Sequence, residues 1–129
     1  MVINDPQTVA EVSAAFARYE AALIEPDAAA LDELFWDSPF TIRYGAGEAL
    51  YGHAAIQAFN ATRPPLRDRR LDKTVITTFG CDFATVSTLF VDASPEKTGR
   101  QQQSWARAPE GWRVVAAHVS VLDQHESER

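Results

Sequence analysis

The chain has 129 residues, enough for one domain with a single core and too few for two. Hydrophobic residues make up 46% and charged residues 23%, the balance of an ordinary globular protein. The net charge of −6 argues against nucleic acid and against an anionic membrane surface as partners, because both demand a basic patch.

Asn4-Asp5-Pro6 reads as a helix start, with Asp5 as N-cap and Pro6 in the first turn. Val9, Val12, Phe16, Tyr19 and Leu23 then recur three and four apart, an apolar stripe with Glu11, Arg18 and Glu20 off it. Pro26 ends this helix near Glu25, and Asp27 caps a shorter one that buries Ala28, Leu31, Leu34 and Phe35. Asp37-Ser38-Pro39 is a turn into a strand over 40–44, and Gly45 and Gly47 open a loop before a short pairing strand at Leu50-Tyr51. A third helix is expected from His53 to Thr62, with Ile56 and Phe59 inward and Pro64-Pro65 closing it. The period then changes to two, giving strands at about 70–79, 82–92, 99–107 and 112–122. Turns fall at Gly80, at Ser94-Pro95-Glu96 and at Pro109-Glu110-Gly111, and a polar tail follows from Asp123. Helices first and hairpin-linked strands later mean an α+β domain over 1–129: a curved antiparallel sheet in a cone around the long helix, with a cavity at its open end.

Tyr19, on the apolar stripe, is either a core residue or a phenol that donates to a ligand carbonyl or carboxylate. Arg43 shares a strand face with Thr41, opposite Phe40, Ile42 and Tyr44, and its direction is open. If it points inward it must be paired or bind an anion, because a guanidinium does not shed its proton. His118 and Ser120 fall on one face of the last strand with Trp112, Val114 and Ala116; the other carries Arg113, Val115, Ala117, Val119 and Val121. Both faces are largely apolar, so one is expected to line the cavity and the other to meet a second subunit. Gln101, Gln103 and Trp105 alternate along the preceding strand and suit either a planar polar ligand or an interface; Trp36 suits core or ligand. Arg67-Asp68-Arg69-Arg70 reads as a solvated loop, with a local anion clamp as the alternative.

The three histidines lack metal-ligand spacing, Gly45-Ala46-Gly47 is no phosphate loop, and no serine sits in a nucleophile elbow. No cofactor or metal is therefore expected. Cys81, the single cysteine, rules out an intrachain disulfide and is expected as a small core residue. MVINDPQTVAEV has no signal-peptide pattern and no apolar run nears the ~20 residues of a bilayer span, so the expected location is the cytoplasm.

The segments NDPQTVAEVSAAFARYEAAL, FWDSPFTIRYG, TVITTFG and WRVVAAHVS resemble the AtzH-like and HpxZ-like proteins, a SnoaL-like branch of the nuclear transport factor 2-like superfamily, over roughly Asp5 to Leu122. The resemblance implies a cone-shaped α+β fold, a homodimer through the outer sheet face, and a role in ureide or cyanuric acid catabolism with a functional link to an amidase. AtzH-like proteins are described as decarboxylating amidohydrolases that convert dicarboxyurea to allophanate, and the tyrosine and arginine tied to that activity match Tyr19 and Arg43. The implied ligand is a small carboxylated substrate, with Trp36, Gln103, Trp105 and His118 as lining residues. The alternative is a non-catalytic dimer that binds a small acid or supports an amidase or oxalurate catabolism. In the related ketosteroid isomerases an acidic base lies near the position of Arg43; an isomerase or cyclase here would need an inward carboxylate, for which Asp37 is the nearby candidate. The chain departs from many relatives at Phe40, where they carry His.

Overall fold

The computed structural model describes residues 1–94 and 96–123. Pro95 of the expected turn at 94–96 and the tail from 124 lie outside the described residues. Helix α1 (Pro6–Ile24) begins where Asp5 accepts hydrogen bonds from the Thr8 backbone N–H at 3.1 Å and hydroxyl at 2.8 Å. Helix α2 (Ala28–Leu34) is capped in the same way by Asp27, whose carboxylate takes the Ala30 N–H. Strands β1 (Ile42–Tyr44) and β2 (Ala49–Tyr51) form a short hairpin, and helix α3 (His53–Asn60) follows. Four long strands complete the chain: β3 (Arg70–Phe79), β4 (Phe83–Val91), β5 (Lys97–Ala108) and β6 (Gly111–Asp123).

These strands make one six-stranded sheet in the order β2-β1-β6-β5-β4-β3. The sheet is mixed: the hairpin pairings are antiparallel, as expected, but β1 runs parallel to β6 with Arg43 beside Ala117. Topology permits that pairing, because the long chain between β1 and β6 leaves either direction open, whereas each hairpin reverses direction by construction.

The helices cover one face of the sheet. Val12, Phe16, Tyr19 and Leu23 of α1, Leu31, Leu34 and Phe35 of and after α2, and Ile56 of α3 share a core with Ala84, Val86, Trp105, Trp112 and Val114. Phe59, expected inward, is half-buried. Cys81 is exposed rather than packed in the core, because it follows Gly80 at the β3–β4 turn instead of entering β4.

Strand β6 departs from strict alternation. Ser104 pairs with Ala116 and Trp105 with Val114, so Val115 is an extra residue on β6 and the side chains after it change face. Trp112 and Val114 face the helices, and from Ala117 onward the odd-numbered residues do, which leaves Ala116 and His118 exposed on the outer face. The expected grouping of His118 with Trp112 and Val114 is thereby corrected.

Candidate active site

A cavity of about 210 Å³ lies where the C-terminal half of α1 meets the sheet. It is small beside the roughly 300–1,000 Å³ clefts that hold drug-sized molecules, so it has room for a small ligand only. Tyr19 and Leu23 of α1, Arg43 of β1, Glu48 of the β1–β2 loop, Arg63 and Arg69 of the segment after α3, Phe90 and Asp92 at the end of β4, and Gln101 of β5 all line it.

Tyr19 is 2% exposed. The rings of Phe35 and Trp105 meet it edge-on, with centroids at 5.8 and 6.4 Å, and fix its plane. Among the described residues its hydroxyl has no hydrogen-bond partner, so its O–H is available to a ligand.

Arg43 points into the same cavity. Thr41 and Arg43 are the inward pair of this segment, whereas Phe40 is 78% exposed and sits in the turn before β1. The guanidinium donates from Nη1 to Glu48 Oε1 at 2.5 Å and lies 4.8 Å from the centroid of the Phe59 ring. Its buried Nε has no hydrogen-bond partner among the described residues. Gly45 makes this pairing possible: a β-carbon there would occupy the space of the Glu48 carboxylate and the Arg43 guanidinium.

Two further arginines complete the cationic side. Arg69 is held by Glu20, with Nε to Oε1 at 2.7 Å and Nη2 to Oε2 at 3.2 Å, and its Nη2 also donates to Gln101 Oε1 at 3.1 Å. Its guanidinium lies 4.2 Å from the Phe90 ring centroid, and Phe90 lies over Gly99, where any β-carbon would collide with the ring. Arg63 donates from Nε to Asn60 Oδ1 at 3.0 Å, but its buried Nη2 has no partner among the described residues. Burial is the main cause that weakens the hold of Arg63 on its proton; the nearby cations Arg43 and Arg69 add to it, against Tyr19 and Glu48. Asp92 is shifted upward, chiefly by burial and further by Glu20, against the attraction of Arg69 3.9 Å away.

Glu20, Arg63 and Asp92 escaped the sequence reading, and Arg69 entered it only through the alternative of a local anion clamp. Glu20 adjoins the apolar stripe of α1 and its side chain is 12% exposed; Arg69 is 3% exposed although its neighbour Arg67, at 66%, is solvated as expected of that loop. Burial of an arginine in a charged run has no periodic signature.

The structure brings Tyr19, Arg43 and Gln101 to one cavity and places Gln103, Trp105, Trp36, His118 and Asp37 elsewhere. Gln103 and Trp105 are buried beneath Tyr19, with the indole N–H donating to Gln103 Oε1 at 3.1 Å. Trp36 is half-buried and anchors the chain by its backbone, donating to the Val114 carbonyl at 2.9 Å and accepting from the Thr41 hydroxyl at 2.8 Å. His118 stacks edge-on against Tyr44 on the outer face, 5.9 Å between centroids. Asp37, the carboxylate an isomerase would need, is 93% exposed and faces His53 at 3.6 Å.

A protein of unknown function from the DUF3225 family of Pectobacterium atrosepticum superposes with a TM-score of 0.89 and 53% identity, covering 94% of this chain and 95% of its own. A cystatin-like fold protein from Burkholderia xenovorans gives 0.91 and 49%, covering 95% and 98%. An NTF2-like protein of unknown function from Pseudomonas putida, 17% identical with a TM-score of 0.73 over 88% and 86%, shares the fold. No curated protein matches the chain. The AtzH-like family model matches residues 1–125, so the segments around Tyr19 and Arg43 and the cavity they line both fall inside that match, and the chain belongs to the AtzH-like family.

Proposed function

We propose that the cavity binds a small N-carboxylated urea, such as 1,3-dicarboxyurea, and removes carbon dioxide from it to leave allophanate. The observation that carries this is the shared cavity of buried Arg43 and Tyr19, whose Nε and hydroxyl have no hydrogen-bond partner among the described residues, in a volume sized for a small ligand.

Arg43 binds and orients a carboxylate through a charge-assisted hydrogen bond, while Glu48 holds the other edge of the guanidinium in place. When the nitrogen–carboxyl bond breaks, the carboxylate departs as carbon dioxide and the bonding pair stays on nitrogen. That nitrogen is conjugated with the central carbonyl, so negative charge builds on the carbonyl oxygen. Tyr19 donates to that oxygen and strengthens its hydrogen bond as the charge grows, which lowers the barrier. The nitrogen then takes a proton from solvent, so the reaction consumes one proton and releases one carbon dioxide.

Purified protein mixed with freshly generated dicarboxyurea should release allophanate faster than buffer alone. Arg43→Lys keeps the charge but loses the planar fork, and should lower turnover by about tenfold or more while the protein stays folded. Thermal stabilisation by the ligand without turnover would replace catalysis with binding of a small acid. Full activity of Arg43→Lys would remove the assigned role of the guanidinium.

The outer sheet face is the proposed contact with a second copy. It carries a concave region of about 520 Å³ along β4, β5 and β6, bordered by Thr88, Gln102 and His118, with Tyr44 and Tyr51 joined through their hydroxyls at 2.8 Å beside it. Among the described residues no helix is long and apolar enough to cross a membrane. The free, exposed thiol of Cys81 suits a reducing compartment, so the proposed location is the cytoplasm.

A further inference from the structure

We infer that Arg63 is a second anion-binding point of the cavity, so that the site selects dianions with a carboxylate on each side of one carbonyl over the corresponding monoanions. This rests on the cavity being the ligand site, and it adds a specificity residue and a charge requirement to the function proposed above.

The charges lining the cavity are unevenly matched. Arg69 is bound by both oxygens of Glu20, and Arg43 is bound by Glu48 through one nitrogen. Arg63 has no carboxylate partner among the described residues; its Nε meets only the neutral carbonyl of the Asn60 side chain. A buried cation left without a counter-charge is costly, and a bound carboxylate removes that cost. The buried Nη2 of Arg63 has no protein acceptor among the described residues, which leaves a charged donor for the ligand.

The placement of Arg63 looks built rather than incidental. Asn60 is 2% exposed and is itself fixed by donating to Asp32 Oδ1 at 3.0 Å, so its carbonyl holds the Arg63 Nε in one orientation. The guanidinium lies 4.9 Å from the centroid of the Phe59 ring, the same ring that Arg43 meets at 4.8 Å. Two cations gathered around one aromatic ring repel each other, and burial of both is favourable when an anion lies between or beside them. Tyr19, Arg43 and Arg63 all line the same cavity, so phenol and both guanidinium groups serve one small volume. A molecule with two carboxylates flanking a carbonyl supplies an acceptor for each of the three.

The test compares freshly dissolved 3-oxoglutarate, which carries two carboxylates around a ketone, with acetoacetate, which carries one. Affinities are measured by calorimetry on the full chain as wild type, Arg63→Gln and Arg63→Lys, each with its ligand-free unfolding temperature. The wild type should prefer 3-oxoglutarate by about tenfold or more, as expected for an added charged hydrogen bond in a buried site. Arg63→Gln should abolish that preference, whereas Arg63→Lys should keep part of it. A wild type without the preference overturns the inference, as does an Arg63→Gln variant that retains it. Should Arg63→Gln fail to fold, an undiminished preference in folded Arg63→Lys overturns the inference, because it shows that the Nη2 donor is not what holds the second carboxylate. Absence of dicarboxyurea turnover with an Arg63-dependent preference intact would remove the catalytic function alone; turnover with a preference indifferent to Arg63 would remove the second anion point alone.

Discussion

Removing one oxygen atom from Tyr19 separates its chemical role from its structural one. The ring is 2% exposed and is held edge-on by Phe35 and Trp105, and Phe keeps all of those contacts. The hydroxyl has no hydrogen-bond partner among the described residues, so Tyr19→Phe breaks no bond within the folded chain. Its effect on stability should therefore stay within about 0.5 kcal/mol of zero, the range of substitutions that disturb neither packing nor polar pairing. Catalysis should respond differently. If the phenol merely held the ground-state carbonyl, its loss would weaken binding by about 0.5–1.5 kcal/mol, roughly 2- to 13-fold in KM. If it stabilises the charge that grows on the carbonyl oxygen, kcat should fall by about 100- to 1,000-fold with KM little changed, as at other oxyanion donors. Steady-state release of allophanate, beside chemical denaturation of both proteins, reads the two quantities separately. A Phe variant with wild-type kcat refutes the donor role. A loss of stability of about 2 kcal/mol or more would show instead that the hydroxyl supports the fold.

Glu11 is expected to stabilise the fold above its ordinary range and to lose that effect only in strong acid. Its carboxylate accepts from the Trp112 indole at 3.0 Å, from Gln7 at 3.1 Å and from Arg107 at 2.7 Å, and these contacts lower its pKa from 4.5 to about 2. A depressed carboxylate contributes stability that is present above its unfolded-state value and disappears as pH falls through the folded one. Glu11→Gln should thus lower the unfolding temperature at neutral pH, with the gap closing between pH 4.5 and about 2; a gap constant across that window contradicts the assignment. The proposed dimer has its own test: Ala116 is exposed on the outer face beside Ile42 and Tyr44, and Ala116→Arg should yield a folded monomer by sedimentation. A monomeric wild type, or a variant that still dimerises, removes that interface.

The local code of this chain was legible where one physical effect dominates. Asp5 and Asp27 as N-caps, the α1 stripe and the hairpin order follow from capping and from burial of one face, and all appear as read. Arg43 could not be oriented from β1 alone. Its inward partner Thr41 is polar and its outward neighbours Phe40 and Tyr44 are aromatic, the reverse of the usual signal. The outer face of the sheet is itself apolar in places, which removes the contrast that periodicity relies on. His118 was misplaced for another reason: the extra residue at Val115 shifts the alternation by one, and nothing in GWRVVAAHVS marks it.

The buried charged residues would let an acidic chain hold an anion at the proposed site. With a net charge of −6 the protein as a whole repels anions, so attraction must come from groups at close range. The cavity concentrates Arg43, Arg63 and Arg69, contributed by segments far apart in sequence, and then restrains two of them with Glu48 and Glu20. Those carboxylates do more than neutralise. Each fixes a guanidinium so that its remaining N–H groups keep one direction, which lowers the cost of ordering when a ligand arrives. Among the described residues the Nε of Arg43 and the Nη2 of Arg63 keep no partner, and with the hydroxyl of Tyr19 they are directional donors rather than a diffuse positive field. On the proposed function such a site would discriminate by the number and placement of acceptors on the ligand, and a carboxylated urea presents acceptors of the required kind around a rigid plane.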